Sequence, residues 1–256
     1  MATVAHPDLQ LATPQPGPDA RGRRDPIDRL IVALDFPSEE AALELACQLQ
    51  GICRWFKVGM ELYYAAGNAV VERLRERGFE VFLDLKLHDI PNTVAGAVRS
   101  VAGVGASLLT VHAGGGEHML RAAAEAASTP GSPKLLAITV LTSMDAAELA
   151  AVGVSDAPAA QVLRLAQLAR AAGIDGLVCS PQEVAAVREL MGPTALLVTP
   201  GIRPAGAAVG DQSRIATPAE AIARGASMLV VGRPITQAAD PAKVAAGILE
   251  EIRQTS

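Results

Sequence analysis

The chain has 256 residues, half of them hydrophobic and 19% charged, which is enough apolar material to fill a core and excludes a mostly disordered protein. Its 22 basic and 27 acidic residues leave a net charge of −5, and aromatics make up 3%, so neither charge nor ring content suits a nucleic-acid binder. No apolar run approaches the ~20 residues of a membrane-spanning helix, no secretory h-region opens the chain, and Cys47, Cys53 and Cys179 have neither metal nor redox spacing, so a reducing cytoplasm is the expected compartment.

Residues 1–25 carry Pro7, Pro14, Pro16 and Pro18 with little apolar content, and include the basic run Arg21-Gly22-Arg23-Arg24. They read as a flexible tail ahead of one domain spanning 26–256. From Leu30 onward, short Leu-rich or β-branched runs alternate with helical ones. Strands are predicted at 30–35, 55–59, 80–86, 107–112, 135–141, 176–180, 195–199 and 228–232. Helices are predicted at 39–49, 61–77, 117–127, 159–171, 181–190, 218–224 and 241–253. Pro37-Ser38, Ser180-Pro181, Thr217-Pro218 and Asp240-Pro241 supply helix starts, and Gly51, Gly78, Gly173 and Gly225 supply helix ends. Between 145 and 170, Gly153 and Pro158 leave open whether the helical stretch is one helix or two.

The strands are near-continuous apolar runs, as buried parallel strands are. Eight βα units over one domain predict a (β/α)8 TIM barrel, which typically takes ~250 residues. An open doubly wound sheet is the alternative. It would usually carry a glycine-rich loop after strand one, where this chain has Leu34-Asp35-Phe36-Pro37-Ser38.

A barrel builds its site at the C-terminal ends of its strands. Strand one ends in Asp35 and strand two carries Lys57. Strand three reads Val81-Phe82-Leu83-Asp84-Leu85-Lys86-Leu87-His88-Asp89. Side chains alternate along a strand, so Asp84 and Lys86 share one face and Leu83, Leu85 and Leu87 the other. The leucines suit packing against helices, which leaves the charges for the barrel mouth, where they must compensate each other. Strand four ends in His112, strand five in Thr142-Ser143 and strand six in Ser180. Late in the chain, Thr199-Pro200-Gly201-Ile202-Arg203-Pro204, then Gly206, Gly210, Asp211 and Gln212, then Val231-Gly232-Arg233-Pro234 have the makings of a phosphate cradle. Glycine admits backbone N–H groups close to phosphate oxygens and arginine adds a forked charge. His88, His112 and His118 form no ligand set, and Lys57 with Lys86 would repel a cation, so no metal is expected.

The run Asp84-Leu85-Lys86-Leu87-His88-Asp89-Ile90-Pro91-Asn92-Thr93 resembles the hallmark of the orotidine 5′-phosphate decarboxylase family, in its bacterial stand-alone form. Ala33-Leu34-Asp35, Phe56-Lys57-Val58-Gly59, Thr110-Val111-His112, Leu141-Thr142-Ser143, Thr199-Pro200-Gly201-Ile202-Arg203, Gly210-Asp211-Gln212 and Gly232-Arg233-Pro234 stand in the family's order. The likeness runs from Leu30 to about Ile252 and leaves the tail outside. It implies a lyase that converts orotidine 5′-monophosphate to UMP in pyrimidine synthesis. Asp35 and Lys57 would hold the ribose, with Lys57 also in the charge network at the reacting carbon. Asp84 would face the substrate carboxylate, and Lys86 would protonate C6. Asp89, Ile90 and Thr93 would reach into a neighbouring subunit's site, implying a homodimer with shared active sites. Thr142 and Ser143 would meet the pyrimidine, and Gln212, Gly232 and Arg233 the phosphate, with Arg203 nearby. No cofactor is implied.

Two other readings are weighed. One is a Mg²⁺-dependent sugar-phosphate barrel of the same superfamily, such as a 3-keto-gulonate-phosphate decarboxylase or a hexulose-phosphate synthase. Those resemble this chain in Asp-x-Lys-x-x-Asp but place a carboxylate where Lys57 stands. The other is a pyrimidine-nucleotide-binding barrel without catalysis, for which an Asp84, Lys86 and Asp89 charge cluster would be a needless cost.

Overall fold

A computed structural model describes residues 25–204 and 215–255. Eight parallel strands close into a barrel in chain order: β1 (Leu30–Leu34), β2 (Trp55–Gly59), β3 (Glu80–Leu87), β4 (Leu108–His112), β5 (Lys134–Ile138), β6 (Gly176–Val178), β7 (Leu196–Thr199) and β8 (Met228–Val231), with β8 pairing back to β1. The helices are α1 (Glu39–Gln48), α2 (Met60–Ala66), α3 (Asn68–Glu76), α4 (Pro91–Ala102), α5 (Gly116–Ala126), α6 (Ala146–Ala151), α7 (Pro158–Ala171), α8 (Val184–Met191), α9 (Pro218–Ala223), α10 (Arg233–Thr236) and α11 (Pro241–Thr255). The expected TIM barrel is the observed one.

Alternation along the strands builds two cores. Ile31, Ala33, Trp55, Phe82, Leu108, Leu136, Leu196, Val198, Met228 and Val230 fill the barrel interior. Their strand neighbours, such as Leu30, Val32, Leu34, Phe56, Val58, Leu83 and Leu109, pack outward against the helices. Most strand residues are buried on both faces, which is why the strands read as continuous apolar runs.

The N-terminal end of the barrel is tied by arginines. Asp28 accepts from Arg54 at 2.5 Å and from Trp55 Nε1 at 3.4 Å. Arg29 reaches the Ala226 carbonyl at 2.9 Å, and Arg188 reaches those of Ala195 at 2.8 Å and Gly225 at 2.9 Å. These bonds satisfy backbone carbonyls at the strand entrances and leave the opposite end for chemistry.

Several boundaries move. The expected helix 61–77 is two, α2 and α3, broken at Gly67 with φ 64°. The 145–170 stretch is also two helices, α6 and α7. Asp145 and Glu148 cap α6 reciprocally, and Pro158 opens α7. Pro181 does not start a helix: Ser180 bonds Glu183, and α8 begins at Val184. β5 and β6 stop at Ile138 and Val178, so Thr142, Ser143 and Ser180 lie in the turns beyond. Gly51, Gly78, Gly173 and Gly225 all have φ between 79° and 102°, as helix-terminating glycines do. No helix among the described residues is long and apolar enough to cross a membrane.

Candidate active site

Extending the inward parity of the first four strands carries the interior from apolar to polar. Ile31 and Ala33 lead to Asp35, Trp55 leads to Lys57, Phe82 leads to Asp84 and Lys86, and Leu108 leads to Thr110 and His112. The charges form an alternating row. Lys57 Nζ lies 2.9 Å from Asp35 Oδ1 and 3.8 Å from Asp84 Oδ2, and Lys86 Nζ lies 2.9 Å from Asp84 Oδ2. The Lys57 and Asp84 side chains are 12% and 13% exposed, against 59% for Asp35 and 30% for Lys86, so the row is deepest at its middle. Each ammonium thus has a carboxylate neighbour, which offsets the desolvation it suffers. A Cβ on Gly59 would stand 2.9 Å from Lys57 Nζ and 3.3 Å from Asp35 Oδ1, so glycine leaves room for that ion pair.

The backbone of β3 is irregular where it carries the charges. β3 and β4 pair as Phe82↔Leu108 and Leu83↔Leu109, then resume at Leu87↔Val111. Residues 84–86 therefore oppose Thr110 alone, a bulge of the kind that re-aims side chains. Lys86 has φ 51°, the one positive value for a non-glycine among the described residues. Such a conformation costs about 1–3 kcal/mol. The Lys86 N–H donates to Thr110 Oγ1 at 2.8 Å, and the Thr110 hydroxyl donates to Asp84 Oδ1 at 3.0 Å. Thr110 is completely buried.

Beside the row lies a cavity of about 190 Å³. Lys57, Asp84, Lys86 and Thr142 make its polar wall, and Phe82, Ile138, Val178, Pro200 and Val230 are on its apolar side. Cys179 also lines it. Burial, reinforced by the Glu183 charge, pushes that thiol up to about 12, so it is an inert apolar group there.

Arg203 follows β7 and Arg233 follows β8. Burial first, then the charge of Arg233, holds the Arg203 guanidinium below its ordinary pKa. β7 and β8 are neighbours, so the two guanidiniums follow adjacent strand ends, an arrangement that suits an anion. A Cβ on Gly232 would stand 3.6 Å from Ala33 Cβ and 3.8 Å from Asp35 Oδ2, so this end adjoins the charge row. Gln212 lies outside the described residues.

Other expected residues stand apart. Ser143 is exposed in the turn beyond β5. Asp89, Ile90 and Thr93 are exposed where the chain enters α4. Asp89 Oδ1 accepts the Ile90 N–H at 2.6 Å rather than meeting Lys86. His88, Asp89, Ile90, Pro91, Gly114 and Gly115 line an open groove of about 540 Å³. His88 stacks on His112, with ring centroids 4.9 Å apart. Burial, then the charges of His88 and Lys86, lower the His112 pKa, and its Nδ1 accepts the Gly114 N–H at 3.1 Å. Among the described residues, no group of three or more His, Cys, Asp or Glu is arranged to hold a metal ion.

Thr110 is a site residue that the sequence does not mark out. Its parity with Leu108 and His112 was the available signal, but a bulge in the neighbouring strand has no mark in sequence.

Comparison with known proteins agrees with this geometry. The sequence model of the Orotidine 5'-phosphate decarboxylase / HUMPS family matches residues 28–248. The chain is 60% identical over 226 residues to an orotidine 5'-phosphate decarboxylase of Halorhodospira halophila, covering 88% of this chain and 95% of that one. It is 57% identical over 223 residues to a protein of the same name from Anaeromyxobacter dehalogenans, covering 87% and 97%. The crystal structure of orotidine 5'-phosphate decarboxylase from Lactobacillus acidophilus superposes with a TM-score of 0.78 at 42% identity, over 88% of this chain and 99% of that one. The charge row, the two arginines at the last strand ends and these matches over the barrel agree: the chain belongs to the orotidine 5'-phosphate decarboxylase / HUMPS family.

Proposed function

We propose that this protein is a carboxy-lyase that decarboxylates orotidine 5′-monophosphate to UMP, the reaction that relatives at 50–60% identity are named for. The alternating row Asp35, Lys57, Asp84, Lys86, whose last three members line the cavity, is the observation that carries the reading. It favours orotidine 5′-monophosphate over the sugar-phosphate substrates of the alternative, because Lys57 occupies the position where the latter needs a carboxylate.

Breaking the bond from C6 to the carboxylate leaves the bonding electron pair on C6 and releases CO₂. That carbanion lies in the ring plane, where the base cannot delocalise it. Fixed charge must stabilise it instead, and a preorganised ammonium does so without reorganising at the moment of reaction. Lys86 then gives C6 a proton, forming UMP, and regains one from solvent. Asp84 faces the departing carboxylate and orients Lys86. Lys57 and Asp35 hold the ribose hydroxyls. Thr142 and Ser143 meet the pyrimidine edge. Gly232, Arg233 and Gln212 bind the phosphate with Arg203 alongside. Phosphate is remote from C6, so its binding energy can organise the site around the reacting end.

The functional unit is a homodimer with shared sites. Ile90, a large apolar side chain 67% exposed beside the groove, supports this, as do Asp89 and Thr93, both exposed where the chain enters α4. Residues 26–256 are the catalytic domain, with 1–25 outside it. The compartment is the cytoplasm, in keeping with three free cysteines.

The test is the ultraviolet absorbance change when purified protein meets orotidine 5′-monophosphate, with and without EDTA. Rapid, EDTA-insensitive formation of UMP is expected. Folded protein that converts none of it, or that acts only on sugar phosphates with Mg²⁺, overturns the proposal.

A further inference from the structure

We infer that Thr110 is a positioning residue that sets the Asp84–Lys86 pair for the proton transfer. The inference rests on the proposed roles of those two residues.

Three observations carry it. Thr110 closes a ring: the Lys86 N–H donates to its Oγ1 at 2.8 Å, its hydroxyl donates to Asp84 Oδ1 at 3.0 Å, and Asp84 Oδ2 accepts from Lys86 Nζ at 2.9 Å. One hydroxyl therefore fixes both the backbone and the carboxylate that orient a single ammonium. The direction of the hydroxyl is determined as well, because the amide can only donate to it and the ionised carboxylate can only accept from it. Second, Lys86 sits at φ 51° within a bulge. An l-residue stays in that region only where its surroundings over-determine it, and the Thr110 bond supplies such a constraint at the strained amide. Third, Thr110 is wholly buried, so water is not at hand to take over its two bonds. Among the described residues, Thr110 alone bonds both the Lys86 backbone and the Asp84 carboxylate.

The consequence is specific. Loss of the hydroxyl frees Asp84 to rotate and relaxes the Lys86 backbone, so the ammonium leaves the line to C6. Ground-state binding through the ribose and phosphate contacts is untouched. The effect therefore falls on kcat rather than on affinity for product.

The experiment compares Thr110→Val, which keeps the shape and removes the hydroxyl, with Thr110→Ser, which keeps the hydroxyl. Lys86→Ala is run beside them. We expect Thr110→Val to lower kcat about 10- to 100-fold, the size expected of a lost hydrogen bond to a charged group. UMP affinity should change less than about 3-fold, and Thr110→Ser should recover most of the lost rate. Thermal unfolding checks that each variant folds, and Thr110→Ala replaces the Val variant if that one does not. Near-normal kcat in the Val or Ala variant, with Lys86→Ala inactive, overturns the role of Thr110 and leaves the reaction assignment standing. Parallel loss of kcat and UMP affinity without recovery by Ser reduces Thr110 to a structural residue and also overturns it. Near-normal kcat in Lys86→Ala overturns the underlying reading instead.

Discussion

Arg233 and Lys86 carry the same charge and would do different work. Arginine's planar fork can grip two phosphate oxygens at once, whereas lysine's compact ammonium can approach a single carbon and part with a proton. Arg233 also sits near Arg203, whose pKa is lowered by burial first and then by the Arg233 charge. Arg233→Ala should weaken UMP binding about 10- to 100-fold, in line with a lost charge-assisted bond, and change uridine binding little. Calorimetric titration of both ligands checks this; equal loss on nucleotide and nucleoside would remove Arg233 from the phosphate site. Lys86 marks the opposite design. Its left-handed backbone is tolerated locally because a buried partner holds the amide, and the strain lies where the chemistry is proposed.

Among the elements, the strands differ in how much holds them. β3 has eight residues and β6 only three. β6 is held partly by closeness to β7: a Cβ on Gly176 would stand 2.0 Å from the Leu196 carbonyl oxygen and 2.8 Å from its carbon. Those atoms are backbone and cannot swing aside. Gly176→Ala should therefore cost at least the 1–3 kcal/mol typical of overpacking, about, with chemical denaturation as the measurement. An unchanged midpoint at unchanged m-value would mean that the β6–β7 spacing is adjustable. Helix ends are better insured. α6 and α9 each start with a reciprocal capping box, at Asp145/Glu148 and Thr217/Glu220. The Thr217 bonds lower the Glu220 pKa although the carboxylate is on the surface.

At the scale of the whole molecule, the two ends of the barrel are separated by task. Arginine-to-carbonyl bonds close the N-terminal end, while the C-terminal end holds the charge row and its cavity. A single chain leaves Asp89 and Ile90 beside an open groove, and the proposed dimer gives them a site to complete. Mixing inactive Asp84→Ala protein with inactive Asp89→Ala protein should restore part of the activity, because some hybrid dimers hold one site with both carboxylates. Restoration is read as UMP formed per total protein after subunit exchange has been shown by mass. Exchange without recovered activity would show that each site is made by one chain.

Much of this was legible from the residues alone. Strand parity depends only on the two-residue repeat, so Asp84 and Lys86 could be assigned to one face and Asp35 and Lys57 to the barrel mouth before any coordinates. The parallel barrel followed from the number and spacing of apolar runs, since strands buried on both faces have no polar stripe. Other features depend on pairing between distant segments. The bulge opposite Thr110 arises from the register of β3 on β4, and the left-handed backbone at Lys86 follows from it. Helix breaks at Gly67 and the late start of α8 come from local bonds that periodicity does not report. That Asp89 bonds the Ile90 N–H and not Lys86, three residues away in sequence, follows from the strand ending at Leu87 ahead of α4. Composition and alternation determine which side chains face inward; only the closed barrel decides which of them touch, because contact is set by register and sequence carries no direct mark of register.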